Sequence, residues 1–201
     1  MNEKYELTEE FKEIETLREG WLQKIKVYRI RALRAFADVK IGDLGGFVET
    51  KQNLSNMGNA WVYGNAEVYD NAEVCGDAWV CGDAKVCNNA RVYGNARVCD
   101  NAKVYGNAEV CGDAKVCDNA NIFWCSSIGS RHATTTMFRN KDNGITVTCG
   151  CFMGTLEEFA ERVEKEHGEN IFGKEYKLLI ELAKIHFGLQ DETKGEEENG
   201  I

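Results

Sequence analysis

The sequence predicts a mainly β protein: a left-handed parallel β-helix of hexapeptide repeats, followed by a C-terminal β-hairpin and two α-helices. Two observations carry this. First, from Asn59 the register Asn/Asp-Ala-X-Val-X-X runs eleven times without a gap, from Ala60 and Val62 to Ala120 and Ile122. A fixed short period is the signature of a stacked repeat architecture. Second, Gly, Asn or Asp occupies the two positions before each Ala, and the 201-residue chain contains no proline. Gly and Asn tolerate the positive φ that sharp corners between short strands demand.

Three hexapeptides make one triangular coil. Val and Ala then fill the prism, and the residues flanking each Val point outward in three ladders. One ladder carries Trp61, Trp79, Arg97 and Lys115, with Tyr63, Cys81, Cys99 and Cys117 beside them. The second carries Glu67, Lys85 and Lys103 with Tyr69, Cys87 and Tyr105, and the third Glu73, Arg91 and Glu109 with Cys75, Tyr93 and Cys111. Opposite charges alternate up the third ladder, which reads as a solvated face. The first is apolar at its N-terminal end, and an exposed apolar patch marks an interface. Trp61, Tyr63, Trp79, Cys81 and Cys99 are therefore expected at the interface of a homotrimer. The competing reading is that the chain's own N-terminal segment covers the tryptophans.

The nine cysteines read as reduced thiols, most of them small apolar residues exchanging with Tyr at one repeat phase. Cys149-Gly-Cys151 reads as core packing, with a metal or redox pair as the alternative. No metal or cofactor is expected. The formal charge of −9 disfavours nucleic acid and anionic membranes as general partners, because phosphate contacts need Lys and Arg. No apolar run reaches the roughly 18 residues needed to cross a bilayer. The charged N-terminus lacks the apolar core of an export signal. These points lead to a cytoplasmic expectation.

The flanks divide the chain into a capping segment over 1–40, the β-helix over 41–125, a hairpin and two-helix region over 126–188, and an acidic, disordered tail over 189–201. Residues 8–20 are charged and read as a short helix, and the basic stretch from Lys24 to Arg34 reads as a strand. Thr-rich alternation on both sides of Asn143-Gly144 predicts the hairpin. Thr155-Leu-Glu-Glu158 is a capping box opening a helix with Leu156, Phe159 and Val163 as its apolar residues. Gly173 then separates it from a second helix near Lys174 to Phe187. The N-terminal strand and the C-terminal helices are expected to cap the two ends of the β-helix.

The stretches LGGFVETKQNLSNMGNAWVYGNA and SIGSRHATTTMF…GITVTCGCFMGTLEEF resemble a group of hexapeptide-repeat proteins common in bacteriophages and prophages. The resemblance covers nearly the whole chain after about residue 26; residues 8–22 look like an insertion. It implies the β-helix and a viral origin, hence the host bacterial cytoplasm, and supplies no catalytic residues. That group is distantly similar in fold to trimeric hexapeptide acyltransferases. Those resemble one another in a catalytic His on the coil face, whereas His132, His167 and His186 here all follow the repeats.

No catalytic residue is therefore assigned. The turn Gly129-Ser130-Arg131-His132 offers backbone N–H groups, a guanidinium and an imidazole, and Thr134, Thr135 and Thr136 add hydroxyls. Backbone amides with Arg make an anion site. If the strand bearing Arg29 and Arg31 packs beside it, a basic pocket sits on an acidic protein. The expected ligand is a phosphorylated small molecule such as a nucleotide, and the expected role is sequestering a host immune signal without catalysis. The alternatives are that surface carboxylates neutralise these cations, that the protein is a protein-binding scaffold, or that it is an acyltransferase.

Overall fold

The computed structural model describes residues 3–189; the tail expected over 189–201 lies outside them from Gln190 onward. Ten two-residue strands, from Trp61–Val62 to Lys115–Val116, recur every six residues. Each rung pairs in parallel with the one a coil later. Val62, Val80, Val98 and Val116 form one stack. Val68, Val86 and Val104 form the second, and Val74, Val92 and Val110 the third. These stacks enclose a prism, a stacked-coil β-solenoid. All ten valines are fully buried, each worth about 1.5–3 kcal/mol over its exposed state.

The corners explain the residues before each Ala. Asp70 and Asn88 adopt φ 57° and 58°, and Gly76 φ 69°. A Cβ on Gly76 would lie 3.0 Å from the Gly94 nitrogen of the next coil, so stacking as well as φ selects glycine there. The corner Asn side chains also bond along the axis. Asn71 donates to Asn89 at 3.2 Å and Asn89 to Asn107 at 3.1 Å, while Asn59 donates to Asp77 at 2.8 Å. The third face behaves as read from sequence: Arg91 lies 3.4 Å from Glu73 and 3.8 Å from Glu109, with Arg91 and Glu73 exposed and Glu109 half-buried. Such pairs stabilise by at most about 1 kcal/mol.

The N-terminal region departs from expectation. Residues 8–20 are not helical: Tyr5–Arg18 is a strand, β1, and Trp21–Ala32 is its antiparallel partner, β2. The cross-strand pairs give the reason. Glu13 faces Lys26, Glu15 faces Lys24 and Ile14 faces Ile25, so charges and apolar groups match across the ladder. Glu19 and Gly20, at φ 52° and 81°, form the two-residue turn that favours a hairpin. Strand β2 pairs with β3 (Leu44–Val48), which pairs in parallel with the Glu67–Val68 rung. The hairpin thus extends the second face, and Ile14, Ile25 and Val27 pack with Phe47, Tyr69 and Cys87 on its outer surface. Lys12 and Lys85 close on the buried carboxylate of Glu67, at 3.2 and 2.8 Å.

Just before β1, Lys4 is fully buried. Its ammonium donates to the Ala60 carbonyl at 2.8 Å and lies 5.2 Å from the Phe36 ring centre. Burial, then the neighbouring Arg34, push its pKa down to about 8 from 10.5. Below pH 8 both folded and unfolded chains carry this charge, and its burial cost is fully present. Between pH 8 and 10.5 the unfolded chain holds a proton that the folded chain has released, so stability rises with pH. That contribution is worth up to about 1.4 kcal/mol per pH unit. Buried phenols and thiols pushed upward, such as Tyr5 and Cys87, act in the opposite sense at the alkaline end. The comparison is therefore with Lys4→Met. Wild type should gain stability relative to the variant between pH 7 and 10 in urea unfolding; parallel profiles would contradict the burial argument.

At the other end the eleventh repeat leaves the solenoid. Asn119–Asn121 forms a 3-10 turn, and Ile122 begins β4 (Ile122–Ile128). With β5 (Ala133–Arg139), β6 (Ile145–Cys149) and β7 (Phe152–Thr155) it forms an antiparallel meander in chain order. The expected hairpin is β5–β6, with Asn143 at φ 64° in its loop. One face of this sheet, through Ile122 and Phe138, joins the solenoid core. The other, through Met137, Ile145 and Val147, packs against α1 (Leu156–His167) and α2 (Ile171–His186). The sheet, not the helices, is therefore the cap.

The capping box at Thr155 and Glu158 is present, and Leu156, Phe159 and Val163 are the buried residues of α1. Helix α2 begins earlier than expected because Asn170 caps it through the Gly173 N–H at 2.9 Å. Gly173 lies inside α2; a Cβ there would lie 2.1 Å from the Gly168 carbonyl oxygen. Among the described residues no helix is long and apolar enough to cross a membrane.

Candidate functional site

A cavity lies between the β6–β7 end of the C-terminal sheet and α1. Its volume is about 750 Å³, and Ser130 and Arg131 form one rim. The Gly150 turn at φ 59° and the thiols of Cys149 and Cys151 line the sheet side, and Arg162, Lys165 and His167 the helix side. Capping explains part of this arrangement. Glu158 accepts from the Thr155 N–H at 2.8 Å, which pins the first turn of α1 against β7. The remaining turns then run alongside the groove.

Its lining carries Arg131, Arg162 and Lys165 together with Glu158, Glu161 and Glu166, so the groove's polarity depends on how these pair. Arg162 is paired with Glu166 at 3.2 Å. Arg131 and Lys165 make no ion pair among the described residues. The floor is held by a small polar cluster. Thr135 donates to the Cys149 sulfur at 3.2 Å, and that sulfur lies 3.8 Å from the Tyr176 hydroxyl. Burial and the adjacent Cys149 push the Tyr176 phenol up to about 12, while Arg131 acts against them. Tyr176 is therefore a neutral hydrogen-bonding group at ordinary pH. The His167 ring stands 5.7 Å from it.

The structure separates the residues that sequence reasoning grouped. Ser130 and Arg131 reach the groove. His132, at φ 49°, is exposed on the turn and does not line the cavity. Thr136 is buried against the solenoid, accepting from the Glu109 N–H at 3.1 Å, and Thr134 is 2.9 Å from Ser126. Strand alternation decides this: Thr135 faces the helices, so its neighbours face away. The Gly129 N–H is already bonded to the Glu175 carboxylate at 3.0 Å.

Arg29 and Arg31 lie at the opposite end of the solenoid. Arg29 pairs with Glu10 at 2.8 Å and donates to the Gly45 carbonyl at 2.8 Å, and Arg31 pairs with Glu6. Surface carboxylates neutralise them, the alternative weighed from sequence. Arg162, Lys165 and Tyr176 were missed as site residues. Their signal is the polar side of α1, legible only once β7 is known to lie beside it.

A family model described as the YdcK beta solenoid repeat matches residues 84–100. No curated protein matches the chain. The matched segment is one coil of the solenoid, from Ala84 to the corner after Cys99. The likeness therefore concerns the repeat and carries no information about the groove.

On the first face, Trp61 is 1 % exposed. Tyr5 and Phe36 cover it edge-on at 6.1 and 5.3 Å. It is thus unavailable to a neighbouring subunit, and the N-terminal segment does what the competing reading held. Tyr63 donates to Asp38 at 2.7 Å, and Trp79 lies between the Tyr63 ring and the Arg97 guanidinium at 5.5 and 4.7 Å. Cys81 and Cys99 follow them up this face, partly exposed. Among the described residues no group of three or more His, Cys, Asp or Glu side chains is placed to hold a metal ion.

Proposed function

We propose that the protein is a non-catalytic binding module whose solenoid carries a C-terminal groove for a small anionic ligand of nucleotide size. The observation that carries this is Arg131 on the rim of the groove, with no carboxylate paired to it among the described residues. Lys165 stands across the same cavity. A volume of about 750 Å³ is within the range of ordinary small-molecule sites, about 300–1,000 Å³. A guanidinium with Ser130 beside it suits bidentate recognition of a phosphate. Phage origin and sequestering of a host nucleotide signal extend this reading and rest on the sequence resemblance.

Isothermal titration against a panel of nucleotides and cyclic dinucleotides tests it. Arg131→Ala should weaken binding about tenfold or more, since a hydrogen bond to a charged group contributes about 1.5–3 kcal/mol. The melting temperature should stay unchanged, because Arg131 is exposed. His132→Ala should leave affinity unaltered. Equal affinity for wild type and Arg131→Ala would rule the groove out as the anion site.

A protein-binding scaffold is the second reading, favoured by α2. Leu178, Leu182 and Ile185 are 67 %, 51 % and 73 % exposed, at the i, i+4, i+7 spacing of helix-in-groove anchors. Self-association as a homotrimer belongs to the same proposal. With Trp61 covered, its support moves to the exposed apolar residues of α2 and of the hairpin tip, Leu17, Trp21 and Leu22.

A further inference from the structure

We propose that Cys81 and Cys99 form a thiol–disulfide exchange site that reacts with low-molecular-weight disulfides and closes a covalent staple between consecutive coils. The repeat itself creates the geometry. The rungs Trp79–Val80 and Arg97–Val98 pair in parallel and in register, so Cys81 and Cys99, each one residue further, stand one above the other. The Cys81 N–H donates to the Val98 carbonyl at 2.8 Å, which fixes that stacking. Parallel neighbours are about 4.7–4.9 Å apart, inside the Cα separation of about 4.4–6.8 Å that a disulfide spans. Both thiols are partly exposed, so a small disulfide can reach them.

The pair is also chemically asymmetric. The Arg97 guanidinium leans over the Trp79 ring, 4.7 Å away, on the rung that carries Cys81; it favours the thiolate of both cysteines, against burial and the Asp100 carboxylate. Cys81 is therefore the attacking thiolate and Cys99 the resolving thiol. None of the other repeat cysteines combines these features. Tyr93 separates Cys75 from Cys111 on the third face, and Cys87 lies between Tyr69 and Tyr105 on the second. Cys117 follows Cys99 in the same stack, but one coil further from the Arg97 guanidinium, which leans toward Trp79 and the Cys81 rung.

The exchange balances in two steps. The Cys81 thiolate attacks one sulfur of glutathione disulfide; that S–S bond breaks, a Cys81–glutathione mixed disulfide forms, and one glutathione thiolate leaves. Cys99 then loses its proton to solvent and attacks the Cys81 sulfur, releasing the second glutathione. Two protein thiols are oxidised and one glutathione disulfide is reduced to two glutathiones. The new bond closes an 18-residue loop, the span between Cys81 and Cys99, and locks one coil to the next.

The test uses the intact chain, treated with glutathione disulfide at pH 8, alkylated and mapped by mass spectrometry. The expected result is loss of two of the nine thiols and a Cys81–Cys99 cross-linked peptide as the first product. Cys99→Ser should stop the reaction at a mixed disulfide on Cys81, and Cys81→Ser should slow the modification of Cys99 at least tenfold. Nine alkylated thiols after treatment, a first cross-link between any other pair, or an unmodified Cys81 in Cys99→Ser would each overturn the proposal. Circular dichroism of the variants checks that each retains the fold.

Discussion

Trp61→Ala should lower unfolding stability by about 3–5 kcal/mol, the range for removing a large buried aromatic side chain. Trp61 is 1 % exposed although its repeat position points outward. It is buried because Tyr5 and Phe36 fold onto it from the N-terminal segment. Tyr5 is in turn anchored through its hydroxyl to the carbonyls of Leu54 and Lys51, at 2.8 and 3.0 Å. That anchor limits relaxation, so the void would persist and the cost would sit toward the upper end. Urea unfolding followed by far-ultraviolet circular dichroism gives the difference directly. A loss below about 1 kcal/mol, typical of surface changes, would mean that the N-terminal segment does not cover this residue. Trp79→Glu is the natural contrast. Trp79 is half-buried between Tyr63 and Arg97, so its replacement should cost much less. Native mass spectrometry of that variant asks whether this face holds subunits together.

The solenoid was legible because every repeat repeats the same physics. Ala and Val at fixed phase fill the prism, and Asn or Asp before Ala satisfies the corner. The ion pairs of Glu73, Arg91 and Glu109 were readable from a spacing of 18 alone. The β1–β2 hairpin was not, although its evidence was present. Charged residues between positions 8 and 20 suggested a solvated helix, and only their matching with Lys24, Lys26 and Ile25 across the Glu19-Gly20 turn reveals a strand. Complementarity between two segments is invisible when each is read singly. The candidate site suffered in the same way. Ser130 and Arg131 were named from turn chemistry, but Thr134 and Thr136 were placed beside them by proximity in sequence. Strand alternation turns those two away from the helices, Thr136 onto the solenoid and Thr134 beside Ser126. Arg29 and Arg31 were added on the assumption that the basic strand reached the C-terminal turn. Its pairing with β3 puts it at the far end of the coils instead.

Phe138→Ala should be nearly as damaging as Trp61→Ala, about 3–5 kcal/mol, and its consequence should be different in kind. Phe138 is fully buried and belongs to the same core as Val110, Val116 and Ile122. It plugs the end of the prism, where no further coil supplies a valine layer. The strand that carries it also closes the last coil's backbone. Thr136 accepts from the Glu109 N–H at 3.1 Å, Thr148 on β6 donates to the Glu109 carbonyl at 3.3 Å, and Lys141 donates from its N–H to Asp113 at 3.2 Å. Repeat proteins need such terminal caps, because an open coil presents both apolar surface and unpaired strand edges. Loosening this plug exposes an edge that another molecule's coil can extend. The variant should therefore show concentration-dependent, end-to-end association in sedimentation velocity under conditions where wild type keeps a fixed size. Phe138→Leu, which retains most of the apolar volume, should lose far less stability and remain discrete. A Phe138→Ala protein that is destabilised yet sediments as wild type would separate the two roles: the ring would be needed for packing, and the polar closure by Thr136, Thr148 and Lys141 would suffice to keep the solenoid end from pairing.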